Sequence, residues 1–84
     1  MHETHPDIVV RLKRAEGHLR SVITMIQEGK PCVALAQQLH AVEAAISKAK
    51  KELIHDHIEH CLEDGQGADA RAALRDLKQL ARYL

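Results

Sequence analysis

Residues Cys32–Asp64 read CVALAQQLHAVEAAISKAKKELIHDHIEHCLED and contain neither glycine nor proline, the two residues that most disfavour a helix interior. Apolar side chains recur along this stretch at alternating intervals of four and three residues, the pattern of helices packed at a shallow crossing angle. They are Leu35, Leu39, Val42, Ile46, Ala49 and Leu53. The stretch therefore predicts one long helix that carries an apolar seam for packing against other helices.

The two cysteines of the chain, Cys32 and Cys61, lie at opposite ends of this seam, and His57 lies one helical turn before Cys61. At a rise of 1.5 Å per residue, a straight helix holds Cys32 and His57 roughly 37 Å apart. These side chains cannot meet within one chain, but they can meet between two antiparallel chains. We therefore predict an oligomer with a thiolate-rich site at the seam between chains.

Two thiolates and one imidazole form a soft donor set that suits Cu(I) or Zn(II) and fits Mg²⁺ or Ca²⁺ poorly. Three donors favour Cu(I), because a structural zinc site takes four ligands. His60 lies on a neighbouring flank of the helix, and His2 and His5 lie on an N-terminal arm, so each is a candidate accessory ligand. Taken singly, Cys32 is as often a packing thiol and His57 more often a surface residue; their joint position on one seam favours a metal site.

Two further helices flank the long one, and together the three predict an all-α domain over residues 1–84. The expected bounds are about 7–28, 31–64 and 68–84. Gly29 and Pro31 separate the first two helices, and the glycines at 65 and 67 separate the last two. Gly17 interrupts the first helix, and we interpret it as a point of close approach between chains. The seam predicts an antiparallel bundle of at least two chains.

Composition excludes several other classes of protein. The 84 residues allow one small domain, and the absence of Trp and Phe favours close-packed helices. No apolar run is long enough for a membrane span, and two cysteines without a secretory signal indicate the reducing cytoplasm rather than a disulfide scaffold. The net charge of zero does not itself predict nucleic-acid binding. The sequence contains no recognisable acid–base pair, phosphate loop or substrate pocket, so it does not predict an enzyme.

The chain resembles the copper-sensing operon repressor family, whose siblings sense nickel or cobalt, formaldehyde or persulfides. The matching stretches are RLKRAEGHLRSVITMI (Arg11–Ile26), PCVALAQQLHAVEAAISKAKKEL (Pro31–Leu53) and IHDHIEHCLED (Ile54–Asp64). Its most specific part is the spacing of Cys32, His57 and Cys61, which is that of the copper-sensing members. The resemblance implies a dimer of dimers, built from four-helix-bundle dimers, that represses transcription and releases operator DNA when its inducer binds.

The resemblance also implies roles for individual residues. Cys32 of one chain would bind Cu(I) with the partner's His57 and the partner's Cys61. Asp76 would be the acidic partner of the metal-site histidine, contributed by the third helix. Basic residues would contact DNA: Arg11 and Lys48 first, with Lys13, Arg14 and Lys51 extending the patch.

Departures from the copper-sensing pattern leave alternatives open. Pro31 stands where copper-sensing relatives can carry a tyrosine before the first cysteine. Nickel and cobalt siblings use an N-terminal histidine, which His2 or His5 could supply, but have histidine in place of Cys61. Formaldehyde siblings carry an N-terminal proline, and persulfide siblings need only the two cysteines and bind no metal. Ni(II), Co(II) and Zn(II) are therefore alternative ions, and a metal-storage bundle that binds no DNA is a further alternative.

Overall fold

A computed structural model describes the backbone of residues 5–64 and 70–84, and the side chains of residues 5–60 and 71–84. In these ranges the chain forms three helices and no strand: α1 (Pro6–Gln27), α2 (Cys32–Asp64) and α3 (Ala70–Ala81). The predicted all-α class is confirmed. α2 is unbroken over its 33 residues, so it runs roughly 50 Å and sets the elongated shape of 58 × 23 × 13 Å. No helix in the described ranges is both long and apolar enough to cross a membrane.

The connection between α1 and α2 is a tight Schellman turn built on Gly29. The Gly29 N–H donates to the Ile26 carbonyl at 3.0 Å and the Lys30 N–H to the Met25 carbonyl at 3.1 Å. Gly29 has a φ of 76°, a left-handed conformation that costs other residues more. Pro31 then accepts the first bond of α2, from the Leu35 N–H at 3.1 Å, so Cys32 is the first helical residue.

The ends of the outer helices differ slightly from the expected bounds. α1 begins at Pro6, with His5 as the capping residue, and ends at Gln27 rather than at residue 28. α3 ends at Ala81 rather than at residue 84, because the last N–H groups bond three residues back instead of four. The Arg82 N–H donates to Gln79 and the Tyr83 N–H to Leu80, at 3.2 and 2.9 Å. The expected start of this helix at residue 68 lies outside the described residues.

The core of the chain lies between α1 and α2, which form an antiparallel hairpin. Among the described side chains, the buried apolar ones are Ile8, Ala15, Val22, Val42, Ala49 and Ile54. The buried residues of α1 recur every seven positions, as do Val42 and Ala49 in α2. Each helix therefore packs against the other with one heptad row. One half of the predicted seam is thus used within the chain.

The other half of the seam faces outward. Leu39, Ile46 and Leu53 of α2 recur every seven residues, and so do Leu12, Leu19 and Ile26 of α1. These six side chains, which we call the outer stripe, are 39% to 52% exposed. An exposed apolar row of this length is typical of a surface that another protein covers.

Gly17 makes no close approach within the chain. A Cβ built on it meets nothing within 4 Å, so the neighbour predicted at this position is not α2 or α3 of the same molecule. The close approach to another chain stays a prediction.

Candidate metal centre and DNA-contacting residues

Cys32 is exposed and lies on the line of the outer stripe. It precedes Leu39 by seven residues, the interval that separates Leu39 from Ile46 and Ile46 from Leu53. As the first residue of α2 it follows Pro31 directly, and its thiol forms no disulfide. The described structure therefore presents this thiol at one end of an apolar surface, where a second molecule can reach it.

His57 lies near the other end of the same surface, one turn beyond Leu53. Its side chain is 34% exposed, and its Nε2 lies 3.7 Å from Oδ2 of Asp76. Asp76 belongs to α3, so the third helix brings a carboxylate to the predicted ligand, as the resemblance implied for this residue. At this distance the two groups are not hydrogen-bonded, but the carboxylate lies beside the ring.

An open pocket of 580 Å³ surrounds His57. Its wall includes Leu53 and Ile54 of α2, Asp76 and Leu80 of α3 and, from the start of α1, His5. The pocket thus lies between α2, α3 and the residue that caps α1, and both imidazoles line it.

His5 contacts α2 through Asp56, the residue next to His57. Its Nδ1 lies 2.7 Å from Oδ2 of Asp56, and its side chain is only 13% exposed. His5 also caps α1, since its carbonyl accepts the N–H groups of Ile8 and Val9. Asp56 had no predicted role. The one feature of the sequence that could have indicated a role for Asp56 is its position directly beside His57.

The other accessory candidates differ in position. His60 Nδ1 donates to the main-chain carbonyl of Asp56 at 2.8 Å, which holds its ring against its own helix. His2 and the side chain of Cys61 lie outside the described residues. Within the described side chains of one molecule, no three His, Cys, Asp or Glu residues come close enough together to hold a metal ion.

The five basic residues predicted to contact DNA are all exposed: Arg11, Lys13, Arg14, Lys48 and Lys51. Arg11 is the one with a described partner, because its Nε donates to Oε2 of Glu52 at 3.0 Å and ties α1 to α2. His18 makes a second link between these helices, with its Nε2 2.6 Å from Oε1 of Gln38. Nothing in the spacing of the sequence indicated that this histidine would bond across the hairpin.

Comparison with known proteins gives consistent matches over the three helices. The family model described as metal-sensitive transcriptional repressor matches residues 4–83. The copper-sensing transcriptional repressor RicR of Mycobacterium tuberculosis is 37% identical over 68 residues, 75% of this chain and 71% of that protein. The copper-sensing repressor CsoR of Bacillus subtilis is 36% identical over 74 residues, 83% and 73% of the two chains.

Two other matches extend this comparison. CsoR of Mycobacterium ulcerans is 37% identical over 77 residues, which are 87% of this chain but only 63% of that longer protein. Among solved structures, the nickel-responsive transcriptional regulator InrS superposes with a TM-score of 0.81 at 33% identity, over 94% of this chain and 91% of that one. The similar proteins thus respond to two different metals, copper and nickel.

Proposed function

Because the chain belongs to the family of metal-sensitive transcriptional repressors, we propose that it binds operator DNA in the metal-free state and releases it when Cu(I) binds between two chains. Membership of this family makes the protein a transcriptional repressor and not an enzyme. The observation that carries the finer proposal is the outer stripe, which has Cys32 at one end and His57 at the other.

The spacing of the outer stripe suits an antiparallel copy of α2. Ile46 lies midway between Leu39 and Leu53, and within one residue of midway between Cys32 and Cys61. A two-fold axis beside Ile46 would therefore stack Leu39 on the partner's Leu53 and set Cys32 within one residue of the position opposite the partner's Cys61. The partner's His57, one turn from that cysteine, would complete the set. Apolar packing and ligand pairing call for the same alignment.

The residues fit a Cu(I) site in their chemistry as well as in their register. Two thiolates and an imidazole are soft donors, and copper-sensing relatives support this ion. The ion would link two chains through these ligands. Asp76 would hold the ring of His57, and the His5–Asp56 contact would hold the start of α1 beside the same pocket.

DNA release would follow from linkage between two binding events. If the assembly that joins Cys32 to the partner's His57 binds DNA less well, metal binding must weaken DNA binding, and DNA must weaken metal binding equally. The proposed DNA surface consists of Arg11, Lys13, Arg14, Lys48 and Lys51, in an assembly of two or four chains.

The test is an anaerobic Cu(I) titration with DNA release followed in parallel, using duplex from immediately upstream of the chain's own coding sequence. Wild type should bind the duplex without metal and release it as the site fills. Cys32→Ala, His57→Ala and Cys61→Ala should bind DNA but lose copper-dependent release. Each should lose more copper affinity than the 10–100-fold that an outer-shell substitution typically costs.

His55→Ala is the matched control for His57→Ala. His55 is an exposed histidine two residues away, on another face of α2, so its removal should leave copper binding and DNA release unchanged. If His57→Ala responded to copper as His55→Ala does, the three-ligand site would be wrong. A sensor that reacts with persulfides would instead form a covalent link between Cys32 and the partner's Cys61 after persulfide treatment, with or without His57.

A nickel-responsive repressor is the second candidate, favoured by the similarity to InrS and by His5. His5 lines the same pocket as His57 and adds the kind of nitrogen donor that suits Ni(II). His5→Ala separates the two functions. It should abolish a Ni(II) response and leave the three Cu(I) ligands in place.

A further inference from the structure

Four basic side chains form a row at the C-terminal end of the chain. Arg71, Arg75 and Lys78 lie on α3 at intervals of four and three residues, and Arg82 follows four residues later in the turn that ends the helix. At about 100° per residue, the three on the helix fall within an arc of about 60°. All four are exposed, and we call them the α3 basic row.

Within the described residues, no acidic side chain neutralises the charge of the α3 basic row. Asp76 is the one acidic residue in 71–84, and its carboxylate faces His57. None of the four basic side chains has an ion pair or hydrogen bond with the described residues, whereas Arg11 is paired with Glu52 and Arg20 with Glu16. A chain of zero net charge thus concentrates positive charge on one short helix.

The three members of the row on the helix also lie away from the packed side of α3. Ala73, Leu77 and Leu80 are the half-buried residues of this helix, and Leu80 lines the pocket with residues of α2. Their directions are more than 90° from the mean direction of Arg71, Arg75 and Lys78. Packing of α3 on α2 therefore leaves Arg71, Arg75 and Lys78 open to a partner, while Arg82 lies at the edge of the pocket that contains His57.

We propose that the α3 basic row binds the phosphate backbone of DNA, as a second contact surface beyond the basic residues of α1 and α2. This inference rests on the proposed function, because it takes DNA as the partner of the repressor. The row is about 16 Å long from residue 71 to residue 82, and duplex DNA carries one negative charge per ≈ 1.7 Å of its axis. A row of cations without intervening acids on its face complements such a surface and carries no base specificity.

Asp76 and the α3 basic row lie on the same helix, so α3 connects the proposed DNA surface with the proposed metal site. α3 is a single helix of 12 residues, and it carries both the carboxylate that contacts His57 and three members of the basic row. Among the described residues, α3 also contacts α2 much less extensively than α1 does. A change in the position of His57 would therefore move the basic row with little packing to oppose it.

The test compares two triple variants that remove the same charge. Arg71→Gln/Arg75→Gln/Lys78→Gln removes the row, and Arg20→Gln/Lys30→Gln/Lys50→Gln removes three exposed cations outside both proposed DNA surfaces. Affinity of the metal-free proteins for the upstream duplex, and for a shuffled duplex, is measured over a range of salt concentrations. The slope of log affinity against log salt concentration gives the number of phosphate groups that the protein neutralises.

The row variant should bind both duplexes more weakly, and its salt slope should fall by about 1 for each phosphate group that it no longer neutralises. A slope of ≈ 0.9 per phosphate corresponds to about fivefold in affinity per phosphate near 0.15 M salt. The control variant should keep the wild-type slope. Arg71→Lys/Arg75→Lys/Lys78→Arg preserves the charge and should restore binding, which separates charge from folding.

Equal affinities and slopes for the two triple variants would overturn the α3 proposal and leave the proposed function intact. Dissociation of the oligomer by the row variant alone, seen in sedimentation, would also overturn it, because the row would then contact a second copy of the chain. Wild type that bound the upstream duplex but ignored copper would instead overturn the proposed inducer. Wild type that bound neither duplex would overturn both proposals.

Discussion

At the residue scale, two carboxylates hold two histidines around one pocket. Asp76 contacts Nε2 of His57 at 3.7 Å, and Asp56 contacts Nδ1 of His5 at 2.7 Å. The His5–Asp56 contact is a hydrogen bond, which fixes the direction of the His5 ring, whereas Asp76 lies beside the His57 ring at a longer distance. For His57, the proposed ligand, the consequence would be a side chain oriented before the metal arrives.

We expect Asp76→Asn to weaken Cu(I) binding by about 10–100-fold, the usual cost of losing the outer partner of a metal-binding histidine. Competition with a Cu(I) chelator under anaerobic conditions measures the change. Asp7→Asn, which removes an exposed carboxylate in the first turn of α1, should leave the affinity unchanged. Unchanged copper affinity in Asp76→Asn, with helical content retained, would show that the contact with His57 plays no part in metal binding.

At the scale of elements, α2 carries two heptad rows of apolar side chains, and the two rows have different surroundings. Val42 and Ala49 pack against α1, while Leu39, Ile46 and Leu53 stay exposed. Polar contacts add to the packing of the hairpin, with the Arg11–Glu52 ion pair near the metal end of α2 and the His18–Gln38 bond nearer Cys32. If Arg11 contacts DNA as proposed, Glu52 would compete with phosphate for its guanidinium.

Glu52→Gln should therefore tighten binding of the metal-free protein to the upstream duplex. The expected gain is about twofold to fivefold, since an exposed ion pair is typically worth 0.2–1 kcal/mol. Fluorescence anisotropy at fixed salt measures it. Glu16→Gln is the matched control: it removes the same charge and frees Arg20, which lies outside the predicted DNA surface.

Equal tightening by both glutamate substitutions would mean that net charge alone controls the affinity. No tightening by Glu52→Gln would argue that Arg11 lies outside the DNA interface.

At the scale of the whole molecule, a single chain leaves much of its apolar surface uncovered. The six side chains of the outer stripe are each about half exposed, whereas only six other apolar side chains are buried among those described. A core this small gives a chain of 84 residues limited stability. Covering the stripe with a second copy would enlarge the core and, by the same step, bring the proposed ligands together.

Ile46→Glu should therefore abolish self-association and tight copper binding in the same variant. A charge buried at the centre of the outer stripe without a partner would cost about 3–5 kcal/mol, more than a hundredfold in dissociation constant. Sedimentation and Cu(I) titration measure the two effects. Gln37→Glu adds the same charge at an exposed position on the far side of α2 and should change neither.

Loss of association without loss of copper binding in Ile46→Glu would mean that one chain holds the metal alone.

Sequence and structure contributed differently to these conclusions. The unbroken stretch from Cys32 to Asp64 determined the long helix, because nothing in it disfavours helical backbone, and Gly29 determined the turn before it. The heptad interval identified the apolar residues of α2, but periodicity alone does not say which neighbour each row faces. The spacing of Cys32 and His57 likewise showed, from helical rise alone, that one chain cannot join them.

Tertiary structure decided which groups meet across helices. The contacts of His57 with Asp76, His5 with Asp56 and Arg11 with Glu52 join residues far apart in the chain, and their partners depend on how the helices dock. Docking also assigned Val42 and Ala49 to the core and left Leu39, Ile46 and Leu53 exposed. The sequence alone determined the helices and the candidate ligands, since both follow from local spacing. Only the packed hairpin decided which surface remains for a second chain, because burial depends on all three helices at once.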